Sequence, residues 1–157
     1  MKEILTDTIR NNITLGALRA ISHFFFVDKA KEIEVSKHYF QKLDIRATSE
    51  RQLVSSLSGG NQQKVVIAKT LAGRSRILLF DEPTRGVDVG AKQEIYKLMN
   101  DLTQEGHSII MVSSDMEELL GMSDRILVMY GGTIQGELQK DEFSQEAVLE
   151  LASGLGA

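Results

Sequence analysis

The rhythm of apolar and polar positions changes near Leu57. Before it the pattern is mostly helical. Leu15 to Phe26 reads as one helix and Lys29 to Leu43 as another, in which Ile33, Tyr39, Phe40 and Leu43 can share a face. After it, short apolar runs alternate with helical patterns. Arg76 to Phe80 and Ser108 to Val112 lack the polar alternation of a half-exposed strand, which predicts two buried parallel strands. Between them Ile95, Leu98, Met99 and Leu102 follow the i, i+3, i+4, i+7 spacing, and Gly106 stands where that helix should stop. Strand, helix and strand in that order imply a right-handed crossover. Arg125 to Tyr130 and Thr133 to Leu138 flank Gly131-Gly132, the composition of a tight hairpin with which the sheet should end. Ser144 to Leu151 reads as a short terminal helix, with Ser144 as N-cap and Glu146 in its first turn. The single proline, Pro83, follows the first strand.

Composition narrows the class. With 157 residues, 42% hydrophobic and 25% charged, the chain has the makings of one globular α/β domain. Its apolar runs, such as Phe24 to Val27 and Ile77 to Phe80, fall far short of the roughly 20 residues that span a bilayer, so a membrane link is expected only through a partner. Acidic residues sit in Met1-Lys2-Glu3-Ile4-Leu5-Thr6-Asp7 where a secretory signal needs a basic start, which argues against export. The absence of cysteine excludes disulfides and thiolate metal sites and fits a reducing cytoplasm. A net charge of -4 offers no long-range attraction for nucleic acid, and none is expected as a partner.

Two segments carry candidate chemistry. Leu57-Ser58-Gly59-Gly60-Asn61-Gln62-Gln63 opens a helical stretch to about Ala72, with Val65, Ala68, Lys69 and Ala72 on one face. A capping serine, two glycines that leave backbone N–H groups open and the helix dipole together suit a phosphate oxygen. Alone, the segment fits a serine-capped glycine turn better. Ile77 to Phe80 then leads into Asp81-Glu82-Pro83-Thr84, placing two carboxylates at the C-terminal end of a strand, where open α/β sheets bind ligands. Such a pair could divide the work, Asp81 positioning Mg²⁺ and Glu82 polarising the water that attacks a γ-phosphate. Solvated acids closing a strand are an equally good account of that segment by itself.

Taken together, the two segments resemble the signature and Walker B motifs of the ATP-binding cassette family. Gly86-Val87-Asp88-Val89-Gly90-Ala91 resembles its D-loop, and Val112-Ser113-Ser114-Asp115 its switch strand. The finer match is to the second cassette of tandem ATPases that power bacterial import of ribose, galactose and related sugars. It rests on Asp81 to Lys92 and on Gly121-Met122-Ser123-Asp124-Arg125-Ile126, and it covers most of residues 50 to 137. This resemblance implies part of the P-loop NTPase fold, with residues 1–57 in the helical subdomain and 58–157 as signature helix and C-terminal portion of the ATPase core. It implies ATP and Mg²⁺ as cofactors, with Ser58, Gly59, Gly60, Asn61, Gln62 and Asp88 at the nucleotide, Asp81 at the metal, and Glu82 and Ser114 in catalysis. A complementary cassette, a membrane permease and, indirectly, a periplasmic sugar-binding protein would be its partners, on the cytoplasmic side of the bacterial inner membrane.

The chain departs from the pattern in two places. Nothing in it reads Gly-x-x-x-x-Gly-Lys-Ser/Thr, so the phosphate-binding loop, or Walker A, is missing, as are the family's N-terminal strands. The chain therefore resembles a truncation, a split gene product or an excised fragment, and is expected to be inactive alone. Ser114 stands where the family usually has its switch histidine, and a serine cannot carry an imidazole's charge. Because cassettes of this family meet head to tail, the resemblance implies that Ser58, Gly59 and Gly60 serve an ATP held by another cassette. His23, His38 and His107 fall outside the motifs. Two other functions compete: a soluble cassette protein acting on ribosomes or DNA, and an inert, aggregation-prone chain.

Overall fold

A computed structural model describes residues 3–154, which divide into two compact units, one ending at Val112 and one beginning at Ser113. This boundary differs from the compositional change near Leu57, because the helix that follows Leu57 packs into the first unit. In that unit, α1 (Ile9–Leu15) is capped by Thr8, whose hydroxyl accepts the Asn11 N–H at 3.1 Å. Asn12 is fully buried on α1 and pays for that burial with three hydrogen bonds, accepting from Ile4 N and donating to the Ile4 and Thr8 carbonyls. A short α2 (Leu18–Ile21) leads into β1 (Ser22–His23) and β2 (Phe26–Val27), an antiparallel hairpin. The expected single helix from Leu15 to Phe26 is therefore broken. Phe24 turns the chain with φ +55, and the three phenylalanines stand 80–96% exposed instead of lining a helical face.

Next comes α3 (Lys29–Lys42), started by Asp28, which accepts the Ala30 and Lys31 N–H groups. Leu43 is buried, whereas Ile33, Tyr39 and Phe40 are half-buried, and the Tyr39 hydroxyl donates to the Leu71 carbonyl at 3.0 Å. That carbonyl belongs to α4 (Gly59–Ala72), which contacts α1 and α3. Lys64, Val65, Val66, Ile67, Ala68, Leu71 and Ala72 are all buried, so α4 hides more than the single face read from its sequence. Gly16 allows α1 to approach it: a Cβ there would lie 1.9 Å from the Lys69 carbonyl oxygen.

The strands β3 (Ile77–Asp81) and β4 (Ser108–Val112) pair in parallel, Ile77 opposite Ser108 and Asp81 opposite Val112, with α5 (Val89–Gln104) as the crossover. Ile95, Met99 and Leu102 are its buried stripe. The strands are not buried on both faces as their sequences predict. Leu78 and Phe80 are buried, but Ile77, Leu79, Ile110 and Val112 are 52–60% exposed. Within the first unit, no described element covers this second face.

The second unit holds α6 (Met116–Met122), β5 (Arg125–Tyr130), β6 (Thr133–Gln139) and α7 (Gln145–Ala152). β5 and β6 form an antiparallel sheet of their own. Gly131 and Gly132 have φ +58 and +83, the positive pair that a type I′ hairpin turn requires. Ile126, Val128, Leu138 and Val148 make the core, and the Ser144 hydroxyl caps α7 by accepting the Ala147 N–H at 3.1 Å.

Candidate nucleotide-facing site

The site starts from two helix N-termini that meet because one of them has no side chain. At Gly60, in the first turn of α4, a Cβ would lie 2.6 Å from the Ala91 Cβ in the first turn of α5. At Gly59 a Cβ would come within 3.4 Å of the Gly86 carbonyl oxygen. The Ser58 turn and the Gly86–Ala91 segment therefore form one surface. There, Ser58, Gly60, Asn61 and Asp88 line a cleft of about 190 Å³, together with Arg46, Lys64, Gly90, Ala91 and Glu94.

Ser58 and Asp88 hold equivalent backbone positions and use their side chains differently. Asp88 caps α5 by accepting the Ala91 N–H at 3.0 Å. Ser58 has the extended backbone of an N-cap, φ -62 and ψ 155, yet makes no capping hydrogen bond; its Oγ accepts from Asn61 Nδ2 at 2.9 Å. A first helical turn has N–H groups without intrahelical acceptors, and this one leaves them uncapped by serine. Hydroxyl, N–H groups and helix dipole are thus available to an anion. Gln62 is not in the cleft. Its Nε2 donates to the carbonyls of Val54 (3.2 Å) and Leu57 (3.1 Å), tying down the approach to the turn.

Charged residues that carry no motif complete the cleft. Lys64 is buried, and its Nζ meets Glu94 Oε2 at 3.0 Å and the Asp44 carbonyl at 3.0 Å. Glu94 Oε1 accepts from Arg46 at 2.8 Å. The hydrogen bond and charge of Lys64, with a further contribution from Arg46, hold the Glu94 carboxyl below its ordinary value. Lys64 follows Asn61-Gln62-Gln63 and only borders the apolar run Val65 to Ala68, so the sequence did not mark it as a buried cation. Nothing local to the sequence designates Glu94 as its partner.

Asp81 and Glu82 lie outside the cleft. Asp81 is exposed at the C-terminal end of β3. Glu82 is half-buried with φ +52, a left-handed backbone that costs a non-glycine residue about 1–2 kcal/mol. Its N–H donates to the Val112 carbonyl at 2.8 Å, and Pro83 and Thr84 are buried beyond it, so the surroundings impose the turn. Among the described residues no three acidic or histidine side chains cluster as a metal site. One exposed carboxylate suits Mg²⁺ held mainly by phosphate oxygens. Ser114 belongs to the second unit, exposed, just before the Asp115 cap of α6.

A family model described as "ABC transporter" matches residues 3–85, more than half of the chain. The ribose import ATP-binding protein RbsA of Bacillus cereus is 50% identical over 151 residues, which is 96% of this chain and 31% of the relative. That of Clostridium perfringens is 47% identical over 153 residues, 97% of this chain and 30% of the relative. The chain thus spans less than a third of the length of these relatives. Among solved structures, an inward-facing putative metal-chelate type ABC transporter superposes with TM-score 0.83 at 17% identity, over 98% of this chain and 61% of the other. A dimeric ATP-binding cassette in a post-hydrolysis state with ADP and Pi superposes with TM-score 0.73 at 22% identity, over 90% of this chain and 60% of the other. At those identities the likeness establishes the fold. No helix among the described residues is long and apolar enough to cross a membrane.

Proposed function

The chain belongs to the ATP-binding cassette transporter family, and on that premise we propose that it supplies the signature surface of a sugar-import ATPase. The observation that carries this reading is the Ser58 turn, uncapped by its own serine and pressed against α5 through Gly60. ATP supplies the γ-phosphoryl group and Mg²⁺ neutralises its charge. Ser58 and the open N–H groups of Gly59, Gly60 and Asn61 bind and orient phosphate oxygens of an ATP held by a complementary cassette. Gln62 acts indirectly, by bracing the turn through Val54 and Leu57. Asp88 fixes the start of α5 beside it.

Asp81 and Glu82 serve a different nucleotide from Ser58, which is why they lie outside the cleft. Asp81 would position Mg²⁺, directly or through water. Glu82 orients water, its backbone held in the left-handed turn that closes β3. Ser114, at the switch position, gives one hydrogen bond where a histidine would give a charge, so this second site is the weaker. The names and identities of the RbsA relatives support ribose or a similar sugar as cargo. The chain's partners are then a membrane permease, reached from the cytoplasmic face, and through it a sugar-binding protein.

This reading predicts that Mg-ATP leaves the thermal midpoint of the isolated chain unchanged, because no phosphate-binding loop occurs in its sequence. A complete cassette measured alongside should rise, since nucleotide at 100 times its Kd stabilises by about 2.7 kcal/mol. A saturable rise in the chain alone contradicts the reading.

A further inference from the structure

Glu94 is half-exposed on α5 and carries no motif, yet both its oxygens are engaged. We infer that Glu94 is a positioning residue, which through Arg46 and Asn61 decides the direction in which the Ser58 hydroxyl gives its proton. The inference deepens the reading of Ser58 as a contact to ATP held elsewhere and rests on it.

The connection can be followed atom by atom. Glu94 Oε1 accepts from the Arg46 guanidinium at 2.8 Å, and Oε2 from Lys64 Nζ at 3.0 Å. Lys64 also donates to the Asp44 carbonyl at 3.0 Å, so both cations fix the Asp44–Arg46 segment against α4 and α5. The Arg46 backbone N–H then donates to Asn61 Oδ1 at 2.7 Å. A backbone N–H can only donate, so the Asn61 atom facing it is the carbonyl oxygen, and the amide nitrogen turns to Ser58. That nitrogen also can only donate, and Ser58 Oγ accepts it at 2.9 Å. The serine proton is consequently free to point away from Asn61, toward the cleft, which is the polarity a phosphate oxygen needs. Lys64 makes the arrangement obligatory. Its side chain is 8% exposed, and a cation so buried requires an anion; the carboxylate it contacts is Glu94.

The test combines the full chain with a complete cassette and follows ATP turnover. Glu94→Ala should lower kcat about tenfold, in line with the cost of small misplacements at reacting groups. KM for ATP should stay unchanged, because the nucleotide is held by the other polypeptide. Glu94→Gln offers one acceptor oxygen where Glu94 uses two and removes the negative charge that Lys64 pairs with, so it should recover only part of the loss. Asn61→Asp keeps shape but replaces the donor with an acceptor, forcing the Ser58 proton inward, and should reproduce the loss of kcat with the Glu94 pairings intact. Wild-type kcat in either Glu94→Ala or Asn61→Asp overturns the inference. If Glu94→Ala fails to fold, Asn61→Asp decides. If the wild-type chain supports no turnover at all, the functional reading fails by itself, and amide hydrogen exchange at Ser58–Asn61 in the full chain decides the positioning: faster exchange in the variants upholds it, and unchanged exchange overturns it.

Discussion

At the scale of single residues, Gly60 and Glu94 shape the site, and Glu50 pairs with Arg10 outside it. Adding a methyl group at Gly60 places it 2.6 Å from the Ala91 Cβ, so α4 and α5 must separate. Gly60→Ala should cost roughly 1–3 kcal/mol, the usual range for overpacking, readable as a lower denaturant midpoint. An unchanged midpoint would mean that the helices do not meet there. Glu50 and Glu94 are both held below the ordinary glutamate value of 4.5, Glu50 chiefly by the hydrogen bond from Arg10 and Glu94 chiefly by that from Lys64. A depressed folded pKa gives stabilisation that is complete above the unfolded value and lost as pH falls through the folded one. The thermal midpoint should therefore drop on the acid side of 4.5, and the Glu50→Gln/Glu94→Gln double variant should flatten that drop. Superimposable profiles would contradict the assignment. These pairings were illegible in sequence, since Arg10 and Glu50, or Lys64 and Glu94, are joined only by the fold.

At the scale of elements, caps and turns were readable because their chemistry is local. Gly131-Gly132, Ser144 and, of the predicted α5 stripe, Ile95, Met99 and Leu102 stand where their residue types predict, while Leu98 is only half-buried. The β1–β2 hairpin was missed for the opposite reason: Phe24, Phe25 and Phe26 look like a helical core segment, and only the Phe24 turn reveals that all three face solvent. The strongest element-level constraint is Gly16. Its Cβ would lie 1.9 Å from a backbone oxygen of α4, which no rotamer change relieves, so Gly16→Ala should destabilise by more than about 3 kcal/mol. A smaller loss, measured by urea titration, would show that α1 and α4 can slide apart.

At the scale of the whole molecule, family and fold class were legible because four short motifs occur in order, each with a physical job. The burial of the parallel strands was not, because an apolar run reports what a strand can bury and not which layer is present to bury it. Ile77, Leu79, Ile110 and Val112 are the result, an exposed apolar row of the kind that promotes association. Leu79→Thr with Ile110→Thr should raise soluble yield while changing stability by no more than about 0.5 kcal/mol, as exposed substitutions do. A fall of several kcal/mol would mean that the face is covered in solution.

Completion by the Ser58 turn of an ATP site held by another cassette can be measured by sedimentation of the full chain with a complete cassette, with and without Mg-ATP. The two should associate only when Mg-ATP is present, and Ser58→Phe, whose ring would fill the cleft, should abolish the association. Association indifferent to nucleotide, or retained by Ser58→Phe, would contradict this role of the Ser58 turn.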